Sequence, residues 1–138
     1  MLQIYKINKG GTMKKIVVKV ERTTTGFSAY AENYPAYTTG RSSAELIRNM
    51  IDSINTYFEA ENIKKKVTSK DLTFEIELSS VFEVFPINVK ALSSRIGMNY
   101  TLLSQYATGK KTPSPKQTEK IIDGIHEIGR ELMEINLV

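Results

Sequence analysis

Apolar and polar positions alternate with a period of two in several short stretches of the first half of the chain. The run Lys15 to Val20 (KIVVKV) is β-branched and mostly apolar, which predicts a strand. After the polar turn Glu21 to Gly26, Phe27, Ala29 and Ala31 alternate with Ser28, Tyr30 and Glu32, a second strand forming a hairpin with the first. A third extended piece is expected from Tyr34 to Thr39, at an edge or strand start, because Pro35 has no amide to donate. Leu72, Phe74, Ile76 and Leu78 alternate with Thr73, Glu75 and Glu77, a further half-buried strand. Between these stretches the period changes: Ile47, Met50, Ile51, Ile54, Tyr57 and Phe58 recur at spacings of three and four behind the capping box Ser42-Ser43-Ala44-Glu45. The first half therefore reads β-β-β-α-β, one helix covering one face of a small sheet.

The second half is helical throughout. Ser80-Val81-Phe82-Glu83 is a capping box expected to open a short helix that Pro86 ends. Asn88 caps a predicted helix from Val89 to Ile96, Gly97 breaks it, and Asn99 caps another from Tyr100 to about Ala107. The loop Gly109 to Pro113 leads to Ser114-Pro115-Lys116-Gln117, a cap with proline at the favoured first position. The final helix carries Ile121, Ile122, Ile125, Ile128 and Leu132 on one face. The expected organisation is an extension or arm at 1–12, an α/β domain at 13–78 and an all-α domain at 79–138. Translation is read as starting at either Met1 or Met13.

Composition narrows the chemistry. With no cysteine and one histidine, His126, the 138 residues cannot build a disulfide framework, a thiolate zinc site or a multi-histidine site within one chain. No apolar run is long enough for a membrane span and the N-terminus has no signal-peptide layout, so a cytoplasmic protein is expected. The net charge of +4 is unevenly spread. Residues 89–120 hold Lys90, Arg95, Lys110, Lys111, Lys116 and Lys120 against Glu119 alone, while residues 121–138 are net acidic. Concentrated positive charge is what a phosphate-facing surface needs.

The strongest local signal runs from Val89 to Tyr106. Leu92, Ile96, Met98, Leu103 and Tyr106 are apolar, Ser93 is small, and Gly97 lies between two capped helices, as a helix-turn-helix requires. Asn99, Tyr100, Thr101, Ser104 and Gln105 then remain as hydrogen-bonding side chains for base edges in a major groove, with Lys110 and Lys111 placed for phosphates. Residues 80–132 resemble the phage-repressor type of helix-turn-helix, with Val89 where a glutamine is usual.

The first half carries a resemblance of its own. Gly26-Phe27-Ser28-Ala29-Tyr30, Tyr34-Pro35-Ala36-Tyr37-Thr38-Thr39-Gly40 and Ser43-Ala44-Glu45-Leu46-Ile47-Arg48-Asn49-Met50 are similar to HicB-type antitoxins. Together with Leu102 to Gln117 the resemblance covers about residues 14–132, with Ala36-Tyr37 where many members carry Gly-Cys. It implies an α+β chain: a partial ribonuclease-H-like first domain that docks a HicA-type, messenger-RNA-cleaving toxin, and a helix-turn-helix domain that represses the operon from operator DNA as a dimer or higher oligomer. Tyr30, Tyr34 and Tyr37, near an edge strand, are the candidate toxin contacts.

Catalysis is not expected, nor any cofactor. A ribonuclease-H reaction needs clustered carboxylates for two metals, one in mid-strand, yet Ile16-Val17-Val18-Lys19-Val20 has no acid. Glu21 and Glu32 lie at strand ends, and Asp52 and Glu59 are seven residues apart. The alternative is a one-component repressor whose first domain senses a small ligand.

Overall fold

The computed structural model describes residues 14–138, so the expected arm at 1–12 and the choice of start codon lie outside the described residues. The architecture is mixed α and β, one four-stranded sheet and five α-helices. The chain divides into two compact units, the first ending at Glu77 and the second running Leu78–Val138.

In the first unit β1 (Ile16–Arg22), β2 (Phe27–Ala31), β3 (Tyr37–Gly40) and β4 (Leu72–Glu75) form a sheet of order β3-β2-β1-β4. β1 and β2 are antiparallel with Val20 opposite Ala29, β2 and β3 are antiparallel, and β1 and β4 are parallel with Val18 opposite Phe74. Strand alternation sends Ile16, Val18, Val20, Phe27, Ala29, Ala31 and Leu72 to one buried face. Helix α1 (Ser43–Ala60) supplies Leu46, Met50, Ile54 and Phe58, all essentially inaccessible, each contributing about 1.5–3 kcal/mol of burial.

Local chemistry sets the ends of α1. The Glu45 amide donates to Ser42 Oγ at 3.2 Å. At the other end Asn62 takes φ 56°, and Ile63 N donates to Phe58 O at 2.8 Å, a Schellman closure. Side chains of α1 also finish the sheet edge. Asn49 Nδ2 donates to Thr39 O (3.0 Å) and Ser53 Oγ to Tyr37 O (3.3 Å), occupying β3 carbonyls that would otherwise invite another strand. Asn55 pins the returning chain, receiving the Val67 amide at 2.7 Å and donating to the Val67 carbonyl at 3.1 Å.

The second unit comprises α2 (Leu78–Val84), α3 (Val89–Ile96), α4 (Tyr100–Ala107) and α5 (Pro115–Met133). They enclose Leu92, Met98, Leu103, Tyr106 and Ile121, with Phe82, Ile87, Ile96, Leu102, Ile125 and Ile128 packed against that core.

Three expectations are corrected. The third extended piece begins at Tyr37 rather than Tyr34, because Ala36 N turns back onto Tyr34 O (2.8 Å) and Pro35 offers no amide to a ladder. The fourth strand stops at Glu75, and α2 starts at Leu78 instead of being capped at Ser80, which is buried inside the helix. Leu78 and Phe82, four apart, both pack on the helical core, so helical period takes over where alternation had seemed to continue. Leu132, predicted on the covered face of the last helix, is exposed.

Candidate nucleic-acid interface

Helices α3 and α4 are joined by the three residues Gly97, Met98 and Asn99. Asn88 Oδ1 receives the Ala91 amide at 3.0 Å and Asn99 Oδ1 the Leu102 amide at 3.2 Å, so each helix begins on an asparagine cap. Gly97 adopts φ 66°, ψ 35°, the left-handed conformation that reverses the chain at the end of α3 and is open to glycine without strain. Met98 N then donates to Ser93 O at 3.0 Å, and the Met98 side chain drops into the core. Ser93 is itself buried, and its hydroxyl donates to Lys90 O at 2.7 Å.

Helix α4 has two distinct sides. Leu103, Tyr106 and Ala107 are buried and Leu102 is half-buried. Tyr100 and Thr101 are exposed, and Ser104 and Gln105 are partly exposed. At 100° per residue these four polar positions share the side opposite the core. Among the described residues none of their side chains is engaged by another, so their donors and acceptors are available to a ligand. Asn99 belongs to this group only in part, because its amide oxygen is committed to the cap.

The following loop is tied to α4. Thr108 Oγ1 donates to Ser104 O at 2.9 Å, Gly109 takes φ 77°, and Lys111 N donates to Gln105 O at 3.2 Å. Lys110 and Lys111 are thereby held, exposed and without an ion pair, beside the last turn of α4. Ser114 Oγ receives the Gln117 amide at 3.2 Å to start α5, where Lys116 and Lys120 are also exposed.

Arg95 does not belong to this basic surface. Its guanidinium donates to both carboxylate oxygens of Glu131, at 2.5 and 2.9 Å, and lies 3.9 Å from Glu127. Those hydrogen bonds hold the Glu131 carboxyl below the ordinary carboxylate range and raise the Arg95 guanidinium further. The lysines therefore supply the available positive charge, and Arg95 fastens α3 to α5. Where those helices meet, Gly124 abuts Ile96 and Leu92 so closely that a Cβ would overlap Ile96 Cγ2.

In the first unit the three tyrosines separate. Tyr37 on β3 and Tyr30 on β2 stand opposite each other on the uncovered sheet face, 65 % and 39 % exposed. Lys19 and Glu75 continue that row across β1 and β4. The Lys19 ammonium sits 3.4 Å from Glu75 and 3.9 Å from Glu32, and the attraction of Glu75 above all raises its pKa. Tyr34 lies elsewhere, its ring 5.3 Å from Phe58 and 6.0 Å from Tyr57 on α1. Aromatic packing occupies it, so the expected trio reduces to a pair on one surface.

An open cleft of about 430 Å³ lies where the β1–β2 turn approaches the start of α1, bordered by Thr23, Thr25, Phe27, Thr39, Arg41 and Glu45. Among the described residues no three His, Asp or Glu side chains converge as metal ligands would, and no helix is long and apolar enough to cross a membrane.

The residues that sequence reasoning missed are those joined across distance. Arg95 with Glu131 and Asn55 with Val67 carry no local signature. Gly124 does carry one, as a lone glycine inside an apolar helical stripe. Comparison with protein-family models, with curated proteins and with solved structures found no match.

Proposed function

We propose that the chain is an antitoxin and autorepressor of the HicB type, non-enzymatic and cofactor-free, acting in the cytoplasm. Its second unit is a helix-turn-helix that reads operator DNA, and its first unit, of partial ribonuclease-H-like fold, binds a HicA-type toxin. The observation that carries the DNA reading is α4 itself: two capped helices meet at the left-handed Gly97, and the outward side of the second holds Tyr100, Thr101, Ser104 and Gln105 with their hydrogen-bonding capacity unspent. Such side chains discriminate base pairs by their donor and acceptor patterns in the major groove. Lys110 and Lys111 supply sequence-independent attraction to phosphates and set the register. Asn99 contributes chiefly by starting the reading helix. Tyr30 and Tyr37 supply flat, amphipathic anchors for the toxin on the open face of the sheet, and the resemblance of residues 14–132 names that partner's class.

Two measurements test the two halves. Titrated at physiological salt with the DNA upstream of its own reading frame, the protein is expected to prefer it over unrelated duplex by about 10³-fold or more. Equal affinities would defeat the repressor reading. Captured from its native locus, it is expected to bring down a small basic protein in stoichiometric amount, through residues 14–77. The cleft beside Arg41 favours a second reading, a repressor that senses a small polar ligand. Specific DNA binding without any protein partner would select it.

A further inference from the structure

Helix α5 spans nineteen residues, about 28 Å, whereas α3 and α4 span eight residues each, about 12 Å. Its apolar stripe begins buried at Ile121 and continues half-buried through Ile125 and Ile128 against the core. Leu132 stands one turn beyond Ile128 on the same stripe, yet it is 62 % exposed. The apolar character then continues through Met133 (84 % exposed), Ile135 (57 %) and Leu137 (94 %). A stripe that starts as core and ends in water outruns its own unit.

We propose that residues 132–138 form the face on which a second copy of this chain seats, in a two-fold contact that joins the DNA-reading units. Charge excludes a polyanionic occupant: Glu127, Glu131 and Glu134 surround the patch with Arg130 as the single nearby base in the sequence, so nucleic acid and anionic lipid are repelled. Self-complementarity favours a second copy. Apart from Tyr100, no other large apolar side chain of the second unit is exposed, so the matching apolar surface available is the same patch on another molecule. The area also fits. Five exposed side chains, Leu132 to Val138, bury about 100 Å² each, or about 500 Å² per copy. An interface of about 800 Å² per partner, about 60 % of it apolar, needs the same amount. This inference rests on the repressor reading for its purpose, since a palindromic site requires two recognition helices one duplex turn apart.

Sedimentation of the full-length protein at micromolar concentration tests it, together with DNA titrations on a full palindromic site and on one half-site. The wild type is expected to be dimeric. Ile135→Asp combined with Leu137→Asp lies outside any helix, and Leu132→Gln replaces an exposed side chain, so both variants should keep the wild-type far-ultraviolet spectrum while becoming monomeric. Their affinity for the full site is expected to fall about 10²-fold or more as avidity is lost, with half-site affinity unchanged. A monomeric wild type, or variants that remain dimeric, would overturn the proposal. A dimer that these variants dissociate but that binds no DNA would uphold this interface and defeat the repressor reading instead.

Discussion

Replacing Gly124 with alanine tests whether the close approach of α3 and α5 holds the second unit together. The added Cβ would overlap Ile96 Cγ2 and lie 3.2 Å from Leu92 Cδ1. Neither neighbour can swing aside: Leu92 is fully buried, and a β-branched isoleucine in a helix has one strongly preferred rotamer. Helix α3 must therefore retreat by roughly 1 Å to restore ordinary carbon contact at about 3.5–4.0 Å. Overpacking of this kind costs about 1–3 kcal/mol, set against about 1 kcal/mol that alanine gains over glycine in a helix interior. Gly129 provides the control, because a Cβ there meets nothing within 4 Å on the same helix. G129A should stabilise by up to about 1 kcal/mol and G124A should destabilise by about 1 kcal/mol, a separation of about 2 kcal/mol. For a unit of this size that is about 8–16 °C in melting temperature. Amide hydrogen exchange along α5 in the full chain isolates the second unit from the first. Protection in G124A equal to that in G129A would refute the packing argument.

Asn99→Ala removes the cap of α4 and should cost about 1 kcal/mol in thermal unfolding, most of it regained by Asn99→Asp, whose carboxylate accepts the same amide. Thr101→Ala and Gln105→Ala should leave stability unchanged, since neither side chain has an internal partner, while costing about 1–3 kcal/mol of discrimination between operator and unrelated duplex. Equal losses on both duplexes would reassign these residues. Lys110→Ala should weaken binding to all sequences alike and reduce the slope of log affinity against log salt by about one; an unchanged slope removes it from the phosphate contacts. Glu131, held below the ordinary carboxylate range by Arg95, stabilises the fold at pH values above its unfolded pKa and loses that contribution as pH falls through its lowered folded value. Wild type and Glu131→Gln should accordingly converge in stability in acid and differ at neutral pH; a gap that persists in acid would show that the ion pair is not its source.

What was legible in the sequence was legible because its cause is local. Asn88, Asn99 and Ser114 each receive the amide three residues later, so three helix starts were readable from single residues and their immediate neighbours. Gly97 marked the turn for the same reason, a conformation set by one residue. Strand alternation likewise placed Phe27, Ala29 and Ala31 on the buried face of the sheet. Alternation failed at Leu78, where a residue that continues a period of two is also the first of an apolar pair four apart, and packing on the helical core decides between them. The charge count failed in the same manner. Counted along the chain, Arg95 belongs to a basic run facing DNA; in space it is claimed by Glu131, thirty-six residues away, from the run counted as acidic. Tyr34, adjacent in sequence to Tyr37, turns instead to α1 because Pro35 and Ala36 bend the chain between them.

The end of α5 belongs to this non-local class. Periodicity correctly aligned Leu132 with Ile121, Ile125 and Ile128, but a repeat states only which side of a helix is apolar. Whether that side is covered depends on the lengths of the neighbouring helices, and α3 and α4 are less than half as long as α5. The same reasoning separates the roles of the two ends of this helix. Its N-terminal half carries exposed lysines beside the α4 surface and packs on the core, while its acidic, apolar C-terminal end is unsuited to phosphate. A reading helix can be positioned only by residues that do not themselves compete for DNA, and Arg95 with Glu131 meets that requirement by neutralising the basic group nearest the turn. Charge reversal at Glu131 would therefore act twice, releasing Arg95 toward the duplex and loosening α3 from α5, and it would raise non-specific affinity while lowering discrimination.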